Sequence, residues 1–211
     1  MKLSIFSRLF QIIPALRRRF YIRYNRFYFK AIGVEYGKNL RVYNKVYVHG
    51  SGVVNIGDNL RFSSGDGINP ISRNIRGEIL VQYKDSVIEI GDNVGISSAC
   101  IRSVNHITIG NNVNIGGDCL IIDTDAHPHD YLQRRYEYRR KTGKEEYAKL
   151  IPSAPITIGD DVWIGARCQI LKGVSIGERS IIAAGSIVTR DIPADVVAGG
   201  NPCKVIRKIN E

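Results

Sequence analysis

A histidine behind two carboxylates is the first chemically pointed feature of the chain: Asp123-Thr124-Asp125-Ala126-His127-Pro128. An imidazole near its ordinary pKa is suited to taking a proton from an alcohol or an amine. Asp123 and Asp125 stand where they would orient that ring, favour its charged form, or satisfy a tight backbone corner. A zinc centre would need three histidines in a set geometry. His106, His127 and His129 are present but lack such a spacing, so no metal is expected. The cysteines show no CxxC or Cys/His pattern either. No Cys or Ser sits in a recognisable nucleophile setting, so a covalent intermediate is not expected.

What must position His127 is a period of six. Ile158, Ile164, Ile170, Ile176, Ile182 and Val188 recur at every sixth residue. Compact residues (Val162, Cys168, Val174, Ser180, Ser186) follow the first five at four places. Neither a helix nor a flat strand repeats this way, whereas a hexapeptide β-helix, with short strands wound round a three-sided prism, does. Ile-Gly-Asp/Asn-Asp/Asn-Val/Leu recurs at 56–60, 90–94, 109–113 and 158–162, placing at corners residues that tolerate left-handed backbone. Cys100, Cys119 and Cys168 fall in the compact slot and read as small core side chains. Cys100 and Cys119 would stack on neighbouring coils about 4.8 Å apart, and a reducing cytoplasm is the compartment that leaves such thiols unpaired. Three hexapeptides make one coil, so about six or seven coils are expected.

Two stretches interrupt the ladder. Residues 63–80 are irregular and read as a loop. Eighteen residues after Ile109 comes His127 in place of an aliphatic, and another 31 pass before Ile158. The expectation is a polar residue in a coil position followed by an inserted loop at about 128–155, and long loops inside a solenoid are often functional.

The net charge of +10 is concentrated at one end: residues 1–30 hold Lys2, Arg8, Arg17, Arg18, Arg19, Arg23, Arg26 and Lys30 and no acidic residue. The remainder carries 22 basic against 20 acidic residues, which argues against nucleic acid as a partner. The apolar stretch Leu3–Leu16 precedes the arginines and is interrupted by Arg8, Gln11 and Pro14, unlike a secretory signal and too short to span a bilayer. Aromatics from Phe6 to Phe29 among the arginines suit a helix on an anionic membrane surface, at the inner face of the cytoplasmic membrane, or a helix closing the open end of the prism. One segment can do both. The chain therefore divides into a basic amphipathic helical segment (1–35), a β-helix (36–193) with its inserted loop, and a C-terminal tail (194–211).

From about residue 90 to 209 the chain resembles the hexapeptide-repeat acyltransferases, in the branch of maltose and galactoside O-acetyltransferases and capsule or O-antigen sugar acetyltransferases. The resemblance rests on DTDAHP (123–128), PITIGDDVWIG (155–165), LKGVSIGERSIIAAGSIVTRDIP (171–193) and VVAGGNPCKVIRKI (196–209). It implies an all-β fold, a left-handed parallel β-helix, exceptional in its handedness. It also implies a homotrimer with sites between subunits, acetyl-coenzyme A (acetyl-CoA) as donor, and a hydroxyl of a sugar or lipid-linked sugar as acceptor. On the matching positions, His127 corresponds to the general base, with Asp125 beside it. Trp163 corresponds to the tryptophan shaping the acceptor and thioester pocket. Ala166 corresponds to the residue whose N–H lies near the thioester carbonyl. Gly185, Thr189 and Arg190 correspond to the pantetheine and phosphate segment, and Lys204 and Arg207 to the basic C-terminal residues facing the coenzyme's phosphates. Three departures stand out: Ala166 where some relatives have Ser, Arg190 where they have Lys, and Ile96-Ser97-Ser98-Ala99 where maltose-type enzymes carry an acceptor-holding Asn. Ser97 or Ser98 is the expected acceptor contact in the place of that Asn, and Asp123 is a further one. Amine acceptors, in an amino-sugar nucleotide or serine, are not separated from hydroxyl acceptors by these motifs.

Overall fold

The computed structural model describes residues 5–65, 71 and 75–211, with side chains described from residue 12 onward. The side chains of Phe6, Arg8 and Phe10, and Lys2 entirely, lie outside the described residues, as does part of the expected 63–80 loop.

The chain winds as a three-walled prism. The first wall stacks Glu35–Tyr36, Val53–Ile56, Val87–Ile90, His106–Ile109, Ile156–Ile158 and Ser175–Ile176. The second stacks Arg41–Tyr43, Arg61–Ser63, Gly95–Ser97, Asn114–Ile115, Trp163–Ile164, Ile181–Ile182, Val196–Gly199 and Lys204–Lys208. The third runs from Tyr47–Gly50 through Glu78–Val81, Cys100–Ser103, Leu120–Ile122 and Gln169–Leu171 to Ile187–Val188. All neighbours pair in parallel except the last two strands of the second wall. The walls thus make six complete coils and the beginning of a seventh. No helix among the described residues is long and apolar enough to cross a membrane.

Register holds the stack together. Ile56, Ile90, Ile109, Ile158 and Ile176 form one inward column, each pairing with its counterpart in the next coil. Ile79, Ile101, Ile121, Ile170 and Val188 form another, all fully buried. Burying continuous apolar columns is the main stabilising term, and an alternating strand pattern keeps polar residues outward. The corner residues Asn39, Asn59, Asn93 and Asn112 all take φ between 56° and 62° and bond to one another side chain to side chain at 2.9–3.1 Å. The glycines beside them serve a different purpose. Gly57, Gly91 and Gly110 have no left-handed backbone, but a Cβ on each would collide with Asp92, Asn111 or Asp160 of the next coil.

Four sequence expectations need correction. Cys119 and Cys168 are buried in the compact slot, but Cys100 is only half-buried because the chain slips one residue at Ser98 (φ 44°) and Ala99 takes the slot. The tail beginning at 194 is not separate: Val196 and Ala198 are buried and extend the second wall. The stretch expected as a loop at 63–80 is shorter, because strands Arg61–Ser63 and Glu78–Val81 take its two ends, while the expected N-terminal helix is α1 (Ile5–Ala31). The insert leaves the prism after Ile122, not at 128, and carries two helices, α2 (Tyr136–Thr142) and α3 (Lys144–Lys149).

The second half of α1 closes the first coil. Phe29 is fully buried, and Asn25 donates to the carbonyls of Tyr21, Val42 and Asn44 at 2.8–3.2 Å. Arg26 donates to Leu40 and the Tyr28 hydroxyl to Val48, so strand-edge carbonyls that would face solvent find partners. The side of α1 turned away is apolar: Ile13, Leu16, Phe20 and Phe27 recur at helical spacing and are each more than half exposed.

Candidate active site

The insert is tied off at its base. Thr124 and Ser153 form an antiparallel bridge, Asp125 N–H donates to the Pro152 carbonyl at 3.0 Å and Ala154 N–H to that of Asp123 at 3.0 Å. The chain therefore departs from the third wall at Ile122 and resumes on the first at Ile156, where Ile109 meets Ile158 in unbroken register. His127 takes no coil position. It stands on the excursion, directly after Ala126, whose φ of 63° turns the backbone sharply.

The His127 side chain is exposed and makes no hydrogen bond or ion pair with any described residue. It borders a cavity of about 450 Å³ between the third wall and the insert, lined also by Tyr83, Arg102, Thr124, Tyr147 and Ser153. Tyr147 of α3 is buried against the cavity that it lines, which fixes the helix there.

Neither acidic neighbour bonds to His127, and Asp123 takes the corner role. Asp123 is fully buried and accepts from Ser103 Oγ (2.7 Å), Val104 N–H (2.8 Å) and Asn105 N–H (2.9 Å), so its carboxylate fixes the preceding coil's corner and does not face an acceptor. Asp125 sits 2.6 Å from His129 Nε2 and 3.3 Å from Lys172 Nζ, not on His127. His106 is held by Glu89 at 2.9 Å on the first wall, and no group of three metal-ligating side chains occurs among the described residues.

Ser97 and Trp163 come together, but elsewhere. Both line a groove of about 440 Å³ on the second wall, with Asn114 at its centre and Gly95 and Gly116 keeping its floor shallow. Trp163 is 56% exposed there. Ser98, the neighbour of Ser97, is buried and accepts from Gly65 N–H at 3.0 Å. This groove and the His127 cavity share no lining residue.

Ala166 and Gly185 stack at the corner between the second and third walls, Gly185 N–H donating to the Ala166 carbonyl at 2.8 Å. Ala166 N–H donates to no described residue. Gly185 has φ 75°, a backbone that glycine adopts most readily, and open space where a Cβ would lie, so the approach is clear. Beneath this corner Cys119 and Cys168 donate to the carbonyls of Gly165 and Ala183. The hydrogen bond to the Cys168 sulfur, then burial, hold the Cys119 thiol well above the ordinary thiol range, unsuited to nucleophilic attack. Thr189 and Arg190 are exposed at the corner that carries the insert two coils earlier. Lys204 and Arg207 are exposed on the outermost strand of the second wall, where Arg207 also donates to the carbonyls of Lys208 and Ile209. The expected coenzyme residues thus occupy two corners and strands of the second wall, and neither of the two cavities collects them. Arg102 and Asn114, which line the two cavities, carry no signal in the sequence beyond an outward strand position.

A three-walled stack of short parallel strands with a helical insert defines the chain as a left-handed parallel β-helix, and its relatives place it more narrowly. The family model for the bacterial transferase hexapeptide (six repeats) matches residues 155–190. A Staphylococcus aureus (strain Mu50) protein named as an acetyltransferase is 42% identical over 161 residues, 67% of this chain and 73% of the relative. Galactoside O-acetyltransferase of Escherichia coli K12 is 49% identical over 105 residues, 50% of this chain and 45% of that protein. Against the first two curated relatives the matches span 58% and 45% of their lengths. A solved galactoside acetyltransferase in complex with coenzyme A superposes with a TM-score of 0.50 at 34% identity, over 83% of this chain and 65% of that one. An N-acyltransferase of Bacillus cereus, with dTDP and 3-hydroxybutyryl-CoA, reaches a TM-score of 0.63 over 87% of each chain but at 20% identity, a likeness of fold alone. The chain belongs to the hexapeptide-repeat transferase family.

Asp123→Ala would leave three donors at the 103–105 corner without a partner, and unfolding free energy should fall by about 2–4 kcal/mol. Denaturant unfolding measures this. An unchanged midpoint together with a weakened acceptor KM would instead return Asp123 to substrate binding.

Proposed function

We propose that the protein transfers the acetyl group of acetyl-CoA to a hydroxyl of a sugar, with His127 as general base. The supporting observation is an exposed imidazole without a partner among the described residues, standing at the rim of a cavity large enough for a sugar. The sugar hydroxyl gives its proton to His127 as its oxygen forms a bond to the thioester carbonyl carbon. Charge gathers on the carbonyl oxygen, for which the unpaired Ala166 N–H is a fitting donor. The carbon–sulfur bond then breaks, and the imidazolium returns the proton to the departing sulfur. Transfer is direct, with no acyl-enzyme.

The His127 cavity borders the third wall and the insert, the Trp163 groove lies on the second wall, and they share no lining residue, so one chain supplies two half-sites. In a homotrimer, the cavity of one copy would meet the Trp163 face of the next, with Ala166, Gly185, Thr189, Arg190, Lys204 and Arg207 drawn to one coenzyme.

The biological setting we propose is surface-polysaccharide synthesis on lipid-linked units at the inner face of the cytoplasmic membrane. Leu16, Phe20 and Phe27 on the outer side of α1, with Arg17, Arg18, Arg19 and Arg23 among them and no acidic residue before Glu35, suit an anionic lipid surface.

His127→Ala should lower turnover about 10²–10⁴-fold in a thiol-release assay while coenzyme binding stays near wild type; wild-type turnover would refute the base. Because residues 25–29 close the prism, the membrane contact is best tested in the full chain. Leu16→Ser with Phe20→Ser should abolish flotation with vesicles one-third anionic lipid, and equal flotation of both proteins would remove the idea.

A further inference from the structure

We infer that the acceptor carries a negative charge, a carboxylate or phosphate, and that Arg102 is the residue that recognises it. This rests on the reading of the His127 cavity as the acceptor site. That cavity is lined by four cations, Arg102, Arg139, Lys144 and Lys149, and by no carboxylate. A neutral sugar can only accept hydrogen bonds from such a lining, whereas an anionic one is also drawn to it by charge.

Two of the four cations are already engaged. Lys149 Nζ lies 2.6 Å from Glu146, and the Arg139 guanidinium stacks 5.5 Å above the Tyr147 ring. Lys144 opens α3 at the rim, with no ion pair to a described residue. Arg102 differs from all three. It rises from the third wall one coil below the strand that leads to the insert, half-buried, with Nη2 donating to Gln82 Oε1 at 2.7 Å. Its Nε–H is shielded from solvent and has no hydrogen-bond partner among the described residues. A shielded, unpaired donor on a charged group is costly and calls for a reason. Gln82 pins one arm of the fork, and a small swing about that pivot would let a carboxylate or phosphate take the remaining donors in bidentate fashion.

The coenzyme's phosphates could offer the same chemistry, but position favours the acceptor. Gln82 and Arg102 belong to the second and third coils, before the insert, while Ala166, Gly185, Thr189 and Arg190 belong to the fifth and sixth, beyond it. His127 stands between the two groups. An anion on Arg102 is therefore on the opposite side of the base from the coenzyme.

Calorimetric titration with a hexuronate, a hexose 1-phosphate and the neutral hexose tests this without depending on transfer. At least one charged sugar should bind wild type about ten- to a hundredfold tighter than the neutral one. Arg102→Gln should bring them within about twofold, Arg102→Lys should recover part of the preference, and coenzyme A affinity should not change. Charged sugars that bind no better than the neutral hexose, or an Arg102→Gln variant that loses coenzyme A instead, would overturn the assignment. Failure of the base would show separately, as His127→Ala transferring at the wild-type rate with sugar preference intact.

Discussion

Coil-on-coil register is the constraint on which the rest depends. Each inward aliphatic must sit on its counterpart one strand spacing away, about 4.8 Å, and the backbone bonds between coils permit no local slack. The columns Ile56 to Ile176 and Ile79 to Val188 record this directly. The tight approach also explains the corner glycines, where even a methyl group would strike the carboxylate or amide above it. Chemistry can be added to such a prism only at its corners, by an excursion that rejoins the stack in register on the next wall. The segment between Ile122 and Ile156 does so, and the buried Asp123 carboxylate anchors its departure.

The same constraint limits what one copy can accomplish. Walls of strands two to five residues long are nearly flat, so a concave site needs the insert on one side and a second surface on the other. The His127 cavity gains depth from α3, whose Tyr147 is buried, while the Trp163 groove is shallow and open. Charge is divided likewise: cations gather at the insert, and Lys204 and Arg207 stand at the far end of the second wall. A catalytic arrangement that needs both surfaces ties activity to assembly. α1 closes the first coil with Asn25 and Phe29 while leaving its other side for a surface contact, which is why closing the prism and resting on a membrane are compatible.

Much of this architecture could be read from residue spacing, because a period of six belongs to few folds and the stretch 158–188 keeps it without a slip. The first two coils were harder to read: Val42, Phe62 and the irregular 63–80 stretch blur the period, although the strands stack in register. Cys100 was misplaced because Ser98 takes a left-handed turn that shifts the next residues by one, an event no side-chain pattern announces. His127 was legible as a break in the ladder. Asp123 and Asp125 were misassigned because adjacency in sequence says nothing about which carboxylate a corner will bury. Arg102 was invisible for a plainer reason. Outward arginines on strands are ordinary, and only the insert folding over this one, with Gln82 beside it, gives it a cavity to face.

The central claim, that a working site is made of surfaces from two copies, is tested most directly by mixing two damaged proteins. His127→Ala and Trp163→Ala, each nearly inactive alone, would be unfolded together, refolded and assayed by thiol release. If base and groove come from neighbouring subunits of a closed ring, random mixing rebuilds about a quarter of the sites intact and activity returns to that level. If both surfaces belong to one chain, every site retains a defect, and the mixture stays as inactive as its parents.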